Sequence, residues 1–391
     1  MRANQCFLII FKGRDGVNMK REIEEAKKDV IKAGKILVES GLIARTWGNI
    51  SARISDEQFV ITPSGLAYET LAPEQIVTVN ISDCSYSGNI KPSSEKGIHA
   101  DVYKLRPEVN FIIHTHQLMA SVISIEGKNI NVDRDEYRKI LGDIIPCADY
   151  GMPSTKKLRR KISEALNNNP DSKAVIMKHH GTICIGYDLK DTFDVAAVLE
   201  KIAEEKYKAA VKENKSHPIA DYGSSYRQDN KFTVTSNGQT VEYSLDVPVN
   251  MPKEAELHAE IYKKNNISHI IHATDDAIVE FSSTGRVLKP FLDDLAQVAG
   301  INIKPVKSND ISEIAKSLKK KNAVFLENEG ALCTGAAKGD AEAVAMVLNK
   351  GCMADLYCKA LKLTDKLGFA DAYIQRVIYI TKYSKMKDKC G

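Results

Sequence analysis

The sequence predicts an α/β protein that contains one kind of domain twice. Apolar runs of strand length, such as Phe111–Ile113 and Ala174–Met177, alternate with longer segments whose apolar residues recur every three or four positions. That alternation is typical of mixed strands and helices. Several motifs of the first half also return, in the same order, in the second half. The length of 391 residues favours two domains as well.

The bulk composition is that of an ordinary globular protein. Apolar residues make up 43% of the chain and charged residues 27%. The net charge of +4 gives no support to a nucleic-acid-binding function. No apolar run approaches the roughly 20 residues that a membrane helix needs, and the eight cysteines form no CxxC pairs. We therefore expect a reduced, cytoplasmic protein with neither nucleic acid nor membrane as a partner.

The first predicted elements are a helix and a β-hairpin. Over Lys20–Ser40 apolar residues recur at helical spacing, and Gly41 follows as a glycine that ends a helix. The alternating segment Ala52–Ile54 and the run Gln58–Thr62 predict two paired strands. Residues 1–18 precede this pattern, and we interpret them as an N-terminal extension.

Three polar turns follow strand or loop ends in the first half. Small polar residues and glycine expose backbone N–H groups and hydroxyls, which is the chemistry of an anion-binding cradle. Each turn has a plainer explanation, because such residues are common in turns for conformational reasons. The third turn also precedes a predicted helix, Ile98–Leu105, and would cap it. The candidate residues are Asn49, Ser64, Gly65, Ser93 and Ser94.

The rest of the first half continues the alternation of helices and strands. The sequence predicts helices over Gln117–Ile125, Ser154–Leu166 (begun by Ser154) and Leu189–Val211, and strands over Ile144–Tyr150, Ala174–Met177 and Thr182–Gly186.

Histidines stand at the ends of two of these strands. His114 and His116 are two residues apart, so on a strand their side chains project to the same face and can share a metal ion. His179-His180 follow another apolar strand and could supply a third ligand. Three neutral imidazoles with an open fourth position are typical of catalytic zinc. The alternative, core or surface histidines without a common partner, fits one histidine better than this set.

Six motifs together resemble the class II aldolase/adducin family, and within it the fuculose-phosphate aldolases. The resemblance covers about residues 20–215, and the motifs match in order and spacing. They are GNIS (48–51), TPSG (62–65), PSSE (92–95), HTH (114–116), IPCADY (145–150) and KHHG (178–181).

This resemblance implies a fold, a metal and a set of site residues. It implies a three-layer α/β domain with a central, mainly antiparallel sheet, and a homo-oligomer whose sites lie at subunit interfaces. It assigns one zinc ion per chain to His114, His116 and His180, and the substrate phosphate to Asn49, Ser64, Gly65, Ser93 and Ser94. Glu95 matches the family's acid/base carboxylate, and Tyr150 matches a proton donor that reaches a neighbouring subunit's site. His179 and His99 receive no role and are interpreted as structural.

The resemblance also implies a reaction. The expected activity is zinc-dependent retro-aldol cleavage of a small sugar phosphate, a ketose 1-phosphate of the fuculose 1-phosphate type, to dihydroxyacetone phosphate and an aldehyde. A sugar-phosphate 4-epimerase or a ketose 1-phosphate dehydratase could use the same site. A non-catalytic, adducin-like scaffold is a further alternative. Epimerases of the family tend to carry aspartate where Glu95 stands, which favours the aldolase.

The second half repeats the first but lacks its ligands. Ile98–Lys104 returns as Leu257–Lys263, and Phe111–His114 returns as His269–His272. At the aligned positions Thr274 replaces His116, Glu329 replaces His180, and Pro252-Lys253 replace Ser93-Ser94. We therefore expect a degenerate copy that builds an interface or covers edges rather than a second active site.

The expected division of the chain follows from this repeat. A catalytic domain spans 19–212, a polar linker 213–231 and the degenerate copy 232–391. The copy is expected to open with a hairpin over Phe232–Leu245 that turns at Asn237-Gly238. The first helix, GNIS and TPSG have no visible counterparts there. A helix is expected over Phe369–Ile380 near the end of the chain.

Overall fold

A computed structural model of the chain describes residues 22–43, 47–212, 219–246 and 250–383. The expected extension, 1–18, lies outside the described residues, as do 213–218 of the expected linker. The chain divides into two compact units between Glu205 and Lys206, and each unit contains one seven-stranded sheet. Within the described residues, no helix is long and apolar enough to cross a membrane.

The first unit contains nearly all the elements that the sequence predicts. Its helices are α1 (Ile23–Glu39), α2 (Lys96–Leu105), α3 (Leu118–Ile123), α4 (Asp135–Leu141), α5 (Lys156–Asn168) and most of α6 (Leu189–Ala210), which continues past the boundary at Glu205. Its strands are β1 (Gly48–Arg53), β2 (Gln58–Ile61), β3 (Val77–Asn80), β4 (Phe111–Thr115), β5 (Ile130–Asn131), β6 (Ile144–Ile145), β7 (Cys147–Ala148), β8 (Ala174–Met177) and β9 (Gly181–Gly186).

The sheet of the first unit is mainly antiparallel, as expected. Its strand order is β3-β2-β1-β4-β9-β8-β7, and only the β7–β8 pair is parallel. One face carries a core formed with α2 and α5, in which Ile112, Tyr103 and Leu158 are buried. The alternate residues Ile50 and Ala52 are buried on the other face, where α1 packs on β1 and β2. Helices on both faces make this a three-layer domain.

The second unit repeats this architecture strand for strand. Its helices are α7 (Lys253–Lys264), α8 (Asp276–Ser282), α9 (Ile311–Ser317), α10 (Lys338–Ala360) and α11 (Phe369–Ile378). Its strands are β10 (Ser224–Gln228), β11 (Lys231–Ser236), β12 (Gln239–Ser244), β13 (His269–Ala273), β14 (Pro305–Val306), β15 (Ala323–Leu326) and β16 (Ala331–Gly335), in the order β12-β11-β10-β13-β16-β15-β14.

The structure corrects the expected start of the second copy. Part of the segment expected as a linker, Ser224–Gln228, is strand β10, which pairs with β13 as β1 pairs with β4. The register aligns Ser225 with Ser51, so the GNIS strand does have a counterpart. The sequence hid this strand because its residues, SSYRQ, are polar and lack apolar alternation. The expected hairpin is confirmed, with Asn237 and Gly238 both at positive φ in its turn.

Two smaller expectations in the first unit are also corrected. Ile144–Tyr150 is not one strand: Pro146 separates β6 from β7, because proline cannot donate to a strand ladder. Helix α5 begins after Thr155, not at Ser154. The Thr155 hydroxyl accepts a hydrogen bond from the Leu158 N–H at 3.3 Å, whereas Ser154 has a positive φ of 63°.

Candidate active site

Three histidines meet at one end of the first sheet. His114 lies near the end of β4, and His116 follows that strand. His180 lies in the tight turn between β8 and β9, which is closed by a 3.0 Å hydrogen bond from the His180 N–H to the Met177 carbonyl. Since β4 and β9 are paired neighbours, the turn carries His180 to His114 and His116. One ligand nitrogen from each histidine lies within 4.8 Å of the others.

The geometry of the histidine cluster fits a shared metal ion. The His114 Nδ1–H donates to the Thr182 carbonyl at 2.8 Å, which leaves the Nε2 lone pair pointing into the cluster. The Nε2 atoms of His114 and His116 are 3.2 Å apart. Two nitrogens bound tetrahedrally to one zinc at ~2.0–2.1 Å would be about 3.3 Å apart. The donor set and spacing therefore suit a metal that accepts imidazole ligands.

Glu95 places a buried carboxylate beside the histidines. Its Oε2 is 3.0 Å from His114 Nε2, and its Oε1 is 3.7 Å from His180 Nε2. A carboxylate oxygen and an imidazole lone pair repel each other, so this contact requires a shared cation, either a proton or a metal. Burial opposes ionisation of Glu95, but attraction to and hydrogen bonding with His114 outweigh burial and lower the pKa of the carboxyl well below its usual range.

A chain of buried hydrogen bonds leads from the protein interior to Glu95. Tyr103 Oη and Ser51 Oγ are 2.7 Å apart, and Ser51 Oγ is 2.6 Å from His99 Nδ1. His99 Nε2 meets Asn49 Oδ1, and Asn49 Nδ2 donates to Glu95 Oε2 at 3.4 Å. Burial, with a smaller repulsion from His114, lowers the pKa of His99 to about 3, so its ring is neutral.

The donor and acceptor of each of these hydrogen bonds can be assigned, because the Asn49 side-chain oxygen can only accept. The single N–H of His99 is therefore on Nε2, and its Nδ1 accepts from Ser51. By donating to the Asn49 oxygen, His99 orients the Asn49 amide so that its N–H₂ group points towards Glu95. From the sequence, His99 is interpreted as structural. Its contact with Asn49 could not be predicted, since the two residues are 50 positions apart in the chain.

The polar turns expected to bind phosphate lie next to one another. The Ser64 N–H donates to the Lys91 carbonyl at 2.9 Å, and the Ser93 N–H donates to the Thr62 carbonyl at 3.0 Å. Gly65 is exposed with φ of 79°, a conformation that favours glycine. The Ser93 hydroxyl accepts from the Glu95 N–H at 3.2 Å, but Glu95 is the N-cap of α2 and that helix has no side-chain capping hydrogen bond, so the expected cap is not observed.

A cavity of about 100 Å³ opens beside these turns. It is lined by Ser94, Glu95, Ser154 and Arg159, among others, and the hydroxyls of Ser94 and Ser154 are 3.0 Å apart. The sequence predicts Ser154 only as the start of a helix and gives no sign that it lines a cavity. Its positive φ, which turns the chain just before α5, is not visible in the sequence.

Tyr150 lies close to the turn that carries His180. Its ring meets the ring of His179 edge-on, with centroids 5.8 Å apart, and it is half-buried. His179 itself has φ of 63°, which is uncommon for a residue other than glycine or asparagine, and it contributes to the shape of the turn.

Comparison with known families decides what kind of chain carries this site. The class II aldolase and adducin N-terminal domain matches residues 28–207 and again residues 219–356. The chain belongs to the class II aldolase and adducin family. The two matches agree with the two units of the fold and show the duplication that the sequence predicts.

Curated relatives and solved structures match slightly less than half of this chain. A 5-methylthioribulose-1-phosphate/5-deoxyribulose-1-phosphate aldolase of Escherichia coli O45:K1 is 35% identical over 42% of this chain and 75% of the relative. The L-fuculose phosphate aldolase of Methanocaldococcus jannaschii is 31% identical over 46% of this chain and 93% of the relative. A solved L-fuculose 1-phosphate aldolase is 27% identical over 47% of this chain and 86% of its own, with a TM-score of 0.44.

The second aldolase-like copy fills the equivalent site with its own side chains. His272, aligned with His114, uses both ring nitrogens: Nδ1 accepts from the Tyr222 N–H at 3.2 Å, and Nε2 donates to the Glu329 carbonyl at 2.5 Å. The Tyr222 hydroxyl donates to the Glu329 carboxylate at 2.7 Å, and Lys253 donates to that hydroxyl at 3.2 Å. No lone pair of His272 is left to bind a metal.

A glycine in the first copy explains why its site stays open. Tyr222 is aligned with Gly48 by the strand register. At Gly48, which has φ of 144°, an added Cβ would lie 2.3 Å from the backbone oxygen of His114. The first copy therefore keeps side chains away from His114, while the second copy packs a tyrosine ring against the aligned His272 with centroids 5.3 Å apart.

Proposed function

We propose that the first copy is a zinc-dependent aldolase that cleaves a ketose 1-phosphate to dihydroxyacetone phosphate and an aldehyde. The observation that carries the proposal is the convergence of His114, His116 and His180 with the buried carboxylate of Glu95. A metal ligand set beside an acid/base group is what carbon–carbon cleavage next to a carbonyl requires. Membership of the class II aldolase and adducin family supports the same reaction.

The metal and the residues around the histidine cluster would each have a separate role in the reaction. Zinc held by the three histidines would act as a Lewis acid towards the charge that develops on substrate oxygens when the C3–C4 bond breaks. Asn49 and the serine turns bind the phosphate through hydroxyl, amide and backbone N–H groups. Glu95 exchanges the proton of the dihydroxyacetone phosphate carbon. Tyr150 exchanges the proton at the aldehyde oxygen. This tyrosine reaches the site from a neighbouring subunit of a cytoplasmic homo-oligomer.

The substrate class is tested most simply by the product that all candidates share. L-fuculose 1-phosphate, 5-deoxyribulose 1-phosphate and 5-methylthioribulose 1-phosphate, named for the relatives, would each release dihydroxyacetone phosphate. We expect the purified chain with zinc to release it from at least one of the three. A stereoisomeric product without dihydroxyacetone phosphate would instead identify an epimerase. No conversion of any of them would overturn the proposal.

The duplication offers a matched test of His99. His258 makes the same contacts in the second copy, with Nδ1 2.7 Å from Ser225 Oγ, which is itself 2.6 Å from Tyr262 Oη. Its Nε2, however, has no hydrogen-bond partner among the described residues, because Gly223 stands where Asn49 would be. The Ser–His–Tyr contacts therefore belong to the scaffold, and only the contact with Asn49 is particular to the site.

We expect His99→Asn and His258→Asn to differ in activity, and His99→Asn to be the more destabilising of the two. Asparagine retains an acceptor near Nδ1 in both variants, but only His99→Asn loses a hydrogen bond from Nε2, so it should lose ~1–3 kcal/mol of unfolding free energy and His258→Asn less. Only His99→Asn should lower kcat, by about 10- to 100-fold, because Asn49 and Glu95 lose their orientation. Thermal melts and steady-state kinetics measure both effects. Equal kcat values for the two variants would remove His99 from the site.

A further inference from the structure

The segment between the parallel edge strand and the helix after it differs between the two copies. In each sheet the edge strand, β7 or β14, pairs in parallel with its neighbour. Residues 149–155 join β7 to α5, whereas only residues 307–310 join β14 to α9. The longer segment of the first copy contains Tyr150 and, just before α5, Ser154. A segment that distinguishes the copies in this way is a candidate for the chemistry of the first copy rather than for the scaffold that both share.

Ser154 adopts a backbone conformation that is unfavourable for serine. Its φ is 63°, a value at which the Cβ of any residue other than glycine crowds the backbone. Strain of this kind is concentrated at functional sites. The shorter connection of the second copy carries none, because residues 307–310, all of which the structure describes, have no positive φ. The strained serine is therefore particular to the copy that has the histidine cluster.

The packing of α5 on α2 places Ser154 beside the polar turn that precedes α2. Arg159 of α5 donates to both carboxylate oxygens of Asp101 in α2, at 2.7 and 2.6 Å. The same guanidinium lies against Gly97, where an added Cβ would be 2.8 Å from Nη1. These contacts hold the first turns of the two helices together. The hydroxyls of Ser154 and Ser94, which precede those turns, are thereby brought within hydrogen-bonding distance.

We propose that Ser154 is a positioning residue for the substrate phosphate, an inference that rests on the proposed function. The Ser154 hydroxyl donates to the Ser94 oxygen at 3.0 Å. A hydroxyl has a single proton, so a Ser94 oxygen that accepts from Ser154 keeps its own proton for an oxygen of the phosphate. A hydroxyl that accepts one hydrogen bond is also polarised, which strengthens the bond that it donates.

The other groups that line the cavity are compatible with a phosphate ester. Lys96 lies beside the two hydroxyls and supplies a positive charge. The Glu95 carboxylate also lines the cavity, but its Oε2 is 3.0 Å from His114 Nε2 and belongs to the histidine cluster. A phosphate group at the hydroxyls of Ser94 and Ser154 would thus meet two donors and a cation, while the carboxylate is engaged elsewhere.

The experiment is calorimetric titration of the zinc-loaded full chain with dihydroxyacetone phosphate. Ser154→Gly and Ser154→Ala both remove the hydroxyl, but only glycine also relieves the strained φ. Both variants should bind about 3- to 10-fold more weakly, as expected for the loss of one hydrogen bond. The KM for the ketose 1-phosphate should rise by the same factor with kcat unchanged, which is the signature of lost binding.

Thermal melts separate this role from a structural one. Ser154→Gly should melt at or above the temperature of Ser154→Ala, because glycine adopts a positive φ without strain. Binding should nevertheless be weakened equally in the two variants. The matched control is Asn302→Gly, an exchange at an exposed residue of the second copy with φ of 55°, which should bind dihydroxyacetone phosphate as the wild type does.

Wild-type affinity in either Ser154 variant would overturn the proposal, and so would a lower kcat without a change in affinity. A wild type that does not bind dihydroxyacetone phosphate would overturn it as well. The calorimetry requires no turnover. A chain that bound dihydroxyacetone phosphate but cleaved no ketose 1-phosphate would therefore overturn the proposed function alone, and the comparison of variants would still decide the role of Ser154.

Discussion

Glu95→Gln is expected to lower turnover of the ketose 1-phosphate by about 10²–10⁴-fold, the range typical of a lost general acid/base. Glutamine keeps the size of the side chain and can still accept the hydrogen bond from Asn49, which Glu95 receives at 3.4 Å. It cannot exchange a proton with carbon. The three histidines remain, so the bound metal should be retained. Steady-state kinetics with metal analysis of the same sample measures both.

The matched control for this substitution is Glu254→Gln in the second copy. Glu254 is aligned with Glu95, and its carboxylate is 3.3 Å from the Ser236 hydroxyl in a part of the chain without the histidine cluster. We expect the activity of the Glu254→Gln variant to equal that of the wild type. If Glu95→Gln retained normal turnover, the carboxylate would not be the proton-exchanging group.

His116→Ala should remove both the metal and the activity. It deletes one of the two nitrogens that are 3.2 Å apart and leaves His114 and His180 as the remaining pair of imidazoles. Loss of a group that only hydrogen-bonds to a metal ligand weakens metal binding by about 10–100-fold, so loss of a direct ligand should exceed that. Elemental analysis after gel filtration should find less than a tenth of the wild-type zinc, with turnover falling to background.

His272→Ala is the control for the metal experiment. Because both nitrogens of His272 are engaged with Tyr222 and Glu329, its removal should leave the zinc content unchanged. A loss of zinc in this variant, comparable to that of His116→Ala, would show that the second copy holds metal and would contradict the description of its site as closed.

The histidine cluster could be predicted because it depends on local patterns. Two histidines at strand spacing share a face, and a histidine in a turn between apolar runs lies at a strand end whatever the topology. The Asn237-Gly238 turn was predictable for the same reason, since its conformation follows from two adjacent residues. The strand order and the pairing of β4 with β9 then brought these local features together.

The remaining features depend on contacts between distant residues. Strand β10 is polar, and only its pairing with β11 and β13 makes it a strand. The contact between His99 and Asn49 requires α2 to cross β1, which no spacing in the sequence reveals. The closure of the second site by Tyr222 required the strand register that aligns it with Gly48.

Comparison of the two copies separates scaffold from chemistry. Both retain the buried Ser–His–Tyr contacts and the tight turn before the last strand along the chain, β9 or β16, in which His179 and Asn328 have φ near 63°. Of the two copies, the first has the three histidines together with a buried glutamate beside them. We infer that the buried polar contacts stabilise the fold, and that the second copy kept them after losing its ligands.

The central claim is that one of the two copies performs the chemistry, and a zinc titration tests it most directly. The full chain is stripped with a chelator, zinc is added back in increments, and release of dihydroxyacetone phosphate is followed at each step. We expect activity to rise linearly and to saturate at one zinc per chain. Saturation at two zinc ions per chain, or failure of zinc to restore any activity, would contradict the claim.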